Sequence, residues 1–176
     1  MVALTGATLG VAMDAFHTFS GTTRYLHPVL LQTASWVPAL FATAYLLTAF
    51  NFVQFRRFDR APVPRTRALI AVAVFTVVYF CTGFAPVANT GKLLICATAG
   101  VALLVWLRSR AALFGALIAM VVGPAFEIWL ISVGGFVHLQ PDVLGLPVWL
   151  PGIYFASGPG LGPLLGSWLA PEPAVR

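Results

Sequence analysis

The sequence predicts an all-α polytopic membrane protein, a bundle of six transmembrane helices with both termini cytoplasmic. Three observations carry that prediction. The first is composition: the 176 residues are 60% hydrophobic and 9% charged, with a mean hydropathy of +0.93. Soluble domains carry roughly a quarter charged residues, so a chain this apolar has the bilayer as its solvent. The second is a series of six long apolar runs. The third is the placement of the basic residues between them.

The runs cover residues 2–19, 26–52, 68–87, 93–107, 111–136 and 148–170. Each approaches the ~20 residues needed to cross ~30 Å of hydrocarbon, the fourth being the shortest. The 13 prolines and 16 glycines suit membrane helices, in which neighbouring helices and local distortion re-satisfy the backbone groups that a break sets free. No soluble domain, linker or low-complexity tract is apparent. Residues 1–176 therefore read as a single six-helix domain, without a periodic repeat.

Arg56, Arg57, Arg60, Arg65 and Arg67 fill the second loop, Arg108 and Arg110 the fourth, and Arg176 the tail, whereas Arg24 and Lys92 occupy the opposite side. Lys and Arg accumulate on the cytoplasmic side of membrane proteins, which places both termini there. The same asymmetry explains the net charge of +5 without nucleic acid as a partner. The first run lacks a basic leader and carries Asp14 and His17, so it is expected to be a retained helix and not a cleaved signal peptide.

Cys81 and Cys96 fall inside runs and read as small packing residues. No Cys or His spacing matches a zinc or haem site, and no metal or cofactor is expected. The chemistry rests on ionisable groups placed in hydrocarbon. Asp14 follows Gly6 and Gly10 at spacing four, and Glu127 follows Ala119 and Gly123 in the same way. Small residues at that spacing let helix backbones approach closely. Both acids are therefore expected to face protein, where an intramembrane carboxyl is a functional hypothesis by default.

Counting ~1.5 Å per residue along each run places Asp14, Gln32, Tyr79, Glu127 and Tyr154 in one layer of the outer half of the bilayer. His17, one turn beyond Asp14, is positioned to pair with it. A polar belt above apolar walls suits an amphiphile, with Asp14, Gln32 and Glu127 bonding its head and Trp36, Tyr79, Phe126 and Trp129 walling its body. The competing reading is structural: each acid bonds backbone groups freed by Pro38, Pro86 or Pro124 and holds the helices in register. In the last run Gly158, Gly162 and Gly166 form a flat stripe for close helix packing, while Pro159 and Pro163 each remove one backbone bond.

Asp142, Leu144, Trp149, Leu150, Pro151, Phe155 and Gly158 stand at the offsets of the same residue types in the Insig (insulin-induced gene) family. Arg108-Ser109-Arg110 resembles that family's basic turn between its fourth and fifth helices. The resemblance implies a six-helix fold with an internal lipid site for a sterol-like terpenoid or a diacylglycerol-like lipid, no cofactor beyond that lipid, and a sensor in place of an enzyme. The eukaryotic relatives reside in the endoplasmic reticulum and use an aspartate just before the basic turn to engage the escort protein Scap. Leu107 stands there in this chain, which removes the reason to expect a Scap-like partner. Composition and short termini point to a prokaryotic-type homologue in a plasma membrane, self-associating as a homo-oligomer through small-residue faces. The alternative is an integral membrane enzyme, an isomerase or hydratase acting on a terpenoid or sterol, in which a carboxyl protonates an alkene.

Overall fold

A computed structural model describes residues 1–170; Arg176 and the rest of the tail lie outside the described residues. Among the described residues six helices form the bundle. The first, α1, covers residues 2–19 and is built of Val2–Thr5, a π turn at Gly6–Gly10 and Val11–Phe19. The others are α2 (Val37–Phe55), α3 (Arg65–Phe84), α4 (Asn89–Leu107), α5 (Arg110–Ser132) and α6 (Leu150–Leu169). Among the described residues four stretches, Val37–Phe58, Arg65–Phe84, Asn89–Leu107 and Arg110–Ser132, are long and apolar enough to cross a membrane. In α1 the run is interrupted by the π turn. In α6 glycine, proline and serine dilute the hydropathy because this helix faces protein along most of its length, packing against α2, α3, α4 and α5.

The second apolar run departs from expectation. Helix α2 begins at Val37, and the residues before it form a hairpin of β2 (Pro28–Leu30) and β3 (Thr33–Ala34), preceded by β1 (Thr23–Tyr25). Pro28 has no N–H to give a helix, and Leu31 and Gln32 take left-handed backbone conformations with φ of 51° and 59°, which end any helix there. A fourth strand, β4 (Phe136–His138), pairs antiparallel with β1 in the register Thr23↔His138, Arg24↔Val137, Tyr25↔Phe136.

The basic end is tied together by one acid. Asp59 Oδ1 accepts from the backbone N–H groups of Arg110 (2.5 Å) and Ala111 (3.0 Å), and its Oδ2 accepts from the Ser109 hydroxyl (2.8 Å). Ser109 Oγ in turn accepts from the Ala112 N–H. The orphan donors and positive pole of the α5 N-terminus are satisfied by this carboxylate. Arg56 donates to the Ala170 carbonyl at 2.7 Å, joining the end of α2 to the end of α6. At the other end Asn89 donates to Asp142 Oδ2 (2.8 Å), which also accepts from the Val148 N–H, while Trp149 Nε1 donates to Asn89 Oδ1. Trp149 is buried and Asp142 pins the loop before α6, so the most distinctive run of the sequence fixes how that helix enters the bundle.

The backbone contains a repeat that the residue pattern hid. Residues 2–55 and 115–168 follow one plan at a constant offset of 113 positions: helix, strand, tight turn, helix. Gly21 and Gly134 carry φ of 71° and 75°, Leu31 and Leu144 carry 51° and 53°, and Gln32 and Gly145 carry 59° and 80°. The pair Leu30↔Thr33 recurs as Val143↔Leu146. The Thr22 N–H bonds the His17 carbonyl as the Gly135 N–H bonds that of Leu130, both at 2.8 Å. Trp36-Val37-Pro38 recurs as Trp149-Leu150-Pro151 where α2 and α6 begin, proline standing in a first turn that needs no N–H. The β1–β4 ladder centres on the equivalent residues Arg24 and Val137, and swapping the two units maps the ladder onto itself. A local pseudo-two-fold axis therefore passes through that pair, and since α1 and α5 run in the same direction it lies along the bundle. Side-chain identities have diverged almost everywhere else, which is why no repeat is visible in the residues alone.

Candidate functional site

A cavity of about 540 Å³ lies between the two units, with Phe75 and Tyr79 of α3 behind it. Its acids and histidines lie at the outer end, and its body is mostly apolar with Thr48, Asn51 and Ser157 among the lining. Equivalent residues contribute from both sides: Gly10 and Gly123, Met13 and Phe126, Asp14 and Glu127, Tyr25 and His138, Phe41 and Tyr154. The cavity thus sits on the pseudo-two-fold axis. It reaches past Thr48 and Asn51 of α2 and Gly115 of α5 toward the basic half.

Small residues create the space beside each acid. A Cβ at Gly10 would press on the Phe41 ring, and one at Gly123 would collide with the Tyr154 ring, so each aromatic lies across the glycine one turn before the acid. The acids are then bonded from neighbouring elements. The Tyr25 hydroxyl donates to Asp14 Oδ2 at 2.7 Å. Burial, and after it the Asp14 carboxyl, push the Tyr25 phenol far above its ordinary pKa, which keeps it a proton donor. Glu127 is bonded at both oxygens: Tyr154 donates to Oε1 at 2.6 Å and His138 Nε2 lies 2.8 Å from Oε2. The β1–β4 ribbon therefore closes the outer end and anchors itself on both acids, through Tyr25 from one strand and His138 from the other.

His17 does not pair with Asp14. Its Nε2 lies 2.8 Å from Thr82 Oγ1, and Thr82 donates its own proton to the Tyr79 carbonyl at 2.6 Å, so the histidine Nε2–H is the donor. Its ring stacks on Tyr79 at 4.4 Å between centroids. Of the residues expected at a lipid site, Asp14, Trp36, Tyr79, Phe126 and Glu127 line the cavity. Two lie outside it. Gln32 is exposed in the hairpin turn, because α2 starts five residues after it. Trp129 is 54% exposed on the outer face of α5 and packs on Phe126. The glycine stripe of α6 meets protein: Gly158 abuts the Ala116 backbone, and Gly162 and Gly166 abut the Phe52 ring. Cys81 and Cys96 are free thiols.

Tyr25, His138 and Thr82 were not singled out by sequence. The available signal was faint: Thr23-Arg24-Tyr25 and Phe136-Val137-His138 alternate buried and more exposed positions, the strand period, in stretches too short to stand out between helices.

The chain matches no protein-family model and no curated protein. Its fold is that of a mycobacterial Insig homologue, MvINS from Mycobacterium vanbaalenii. Two crystal structures of MvINS superpose with a TM-score of 0.82 over 99% of this chain and 95% of theirs, at 24% and 23% sequence identity. One of the two is a cross-linked trimer. The chain is accordingly an all-α, multi-pass integral membrane protein with an Insig-like fold.

Proposed function

We propose that this chain is a non-enzymatic, Insig-like membrane protein that holds one neutral lipid, sterol-like or diacylglycerol-like, in the cavity between its two units and acts as a lipid sensor. The observation that carries the reading is the cavity itself, a mostly apolar space on the order of a lipid-binding pocket with its acids and histidines gathered at one end. A lipid body would occupy the apolar part, and its head would meet the layer of Asp14, Tyr79, Tyr154 and Glu127. An occupant that favours one packing of α1 and α2 against α5 and α6 shifts the population of that packing, which is what converts a binder into a sensor. The basic end would face the cytoplasm, and self-association of the kind seen in the MvINS trimer is part of the proposal. The test is mass spectrometry of lipid carried by protein purified in a mild detergent, with thermal shifts on adding cholesterol or dioleoylglycerol. Absence of both a carried lipid and a shift overturns the reading.

One observation favours a second reading, an isomerase or hydratase: Glu127 is in contact with a histidine and a tyrosine, groups suited to relaying a proton. A Glu127→Gln protein that still carries lipid but loses a measurable conversion of a terpenoid or sterol would favour the enzyme.

A further inference from the structure

The pseudo-symmetry sets the two acids apart. In the second unit the Glu127 carboxylate is saturated, one oxygen bonded by Tyr154 and the other by His138. In the first unit Tyr25, the counterpart of His138, bonds Asp14 Oδ2. The counterpart of Tyr154 is Phe41, whose ring lies across Gly10 as that of Tyr154 lies across Gly123 but ends without a hydroxyl. Among the described residues no hydrogen bond reaches Asp14 Oδ1. That oxygen is also absent from the buried side-chain atoms left without a partner, Thr23 Oγ1 and His138 Nδ1, so it is open to the cavity that Asp14 lines.

Resting on the lipid-holding reading, we propose that a hydroxyl of the bound lipid donates to Asp14 Oδ1, in the position that the Tyr154 hydroxyl holds at Glu127. The ligand class is narrowed accordingly. An ionised Asp14 accepts and does not donate at Oδ1, so in that form it calls for a head with a free O–H: an alcohol is held, while its ester or an anionic head is refused. Asp14 is the head-group acceptor, and Glu127 is a positioning residue that holds the ribbon and Tyr154 in place. Phe41 sets specificity by leaving the position open.

Phe41→Tyr supplies the missing hydroxyl from the protein. Carried lipid is expected to fall about ten-fold, the weight of one charge-assisted hydrogen bond, while the delipidated protein melts at a higher temperature. That gain should vanish in Phe41→Tyr combined with Asp14→Ala. In the wild type dioleoylglycerol should raise the melting temperature and its 3-acetyl ester should not. Undiminished lipid in Phe41→Tyr, or equal shifts with the alcohol and the ester, overturns the assignment to Asp14 and leaves the lipid-holding reading standing. A wild type that neither carries lipid nor responds to either probe overturns that reading instead. The pairing geometry is then decided by the melting temperatures alone, an unchanged value in Phe41→Tyr counting against it.

Discussion

At the outer end of the bundle one backbone plan is built twice, and the two copies hold their acid differently. Glu127 is bonded at both oxygens by side chains of its own unit, and α6, the closing helix of that unit, is sunk among four others on a glycine face. Asp14 is bonded at one oxygen, and α2, which closes the first unit, has Leu46, Leu47 and Phe50 on its exposed surface. One copy is thus finished as scaffold, and the other keeps hydrogen-bonding capacity directed at the cavity. Duplicated geometry with diverged side chains leaves one acid saturated and the other not, without a change of backbone.

Substitutions that erase or exaggerate this asymmetry test it, and the largest effect belongs to the scaffold side. Gly158→Ala drives a methyl into the Ala116 backbone; overpacking of that kind costs about 3 kcal/mol, read as a lower melting temperature in detergent. The counterpart position in the first unit is occupied by Tyr45, so no such constraint exists there. Next, Glu127→Ala strands Tyr154 and His138 together and should cost about 2–3 kcal/mol, against about 1–2 kcal/mol for Asp14→Ala, which strands Tyr25 alone. Equal losses would mean that the two acids are held alike. Tyr25→Phe should cost about 1 kcal/mol by the same measurement, since one bond to Asp14 is lost. The smallest effect is a gain: Gln32→Gly copies Gly145 of the second unit and relieves a left-handed residue, raising stability by up to about 1 kcal/mol.

The helices were legible where lipid contact dictates residue type. In α3, α4 and α5 long apolar runs end at arginines or polar turns, and the expected and observed bounds differ by a few residues. The start of α2 was not legible, since a hairpin exposing Val29 and Leu30 has the same hydropathy as a helix. The acids announced themselves as charges inside apolar runs. Their partners did not, because whether Tyr25 or His138 reaches an acid depends on a ladder between segments remote in sequence. For the same reason Gln32, assigned to the polar layer by counting along a helix, lands outside it when the helix begins later.

The ribbon that closes the cavity pairs residue 23 with residue 138. A chain inserted from its N-terminus must place five helices before the second of these strands exists, and closing so long a loop is slow for entropic reasons. The polar end of the cavity is therefore among the last parts of the molecule to be assembled, and until then it lies open to the membrane around it.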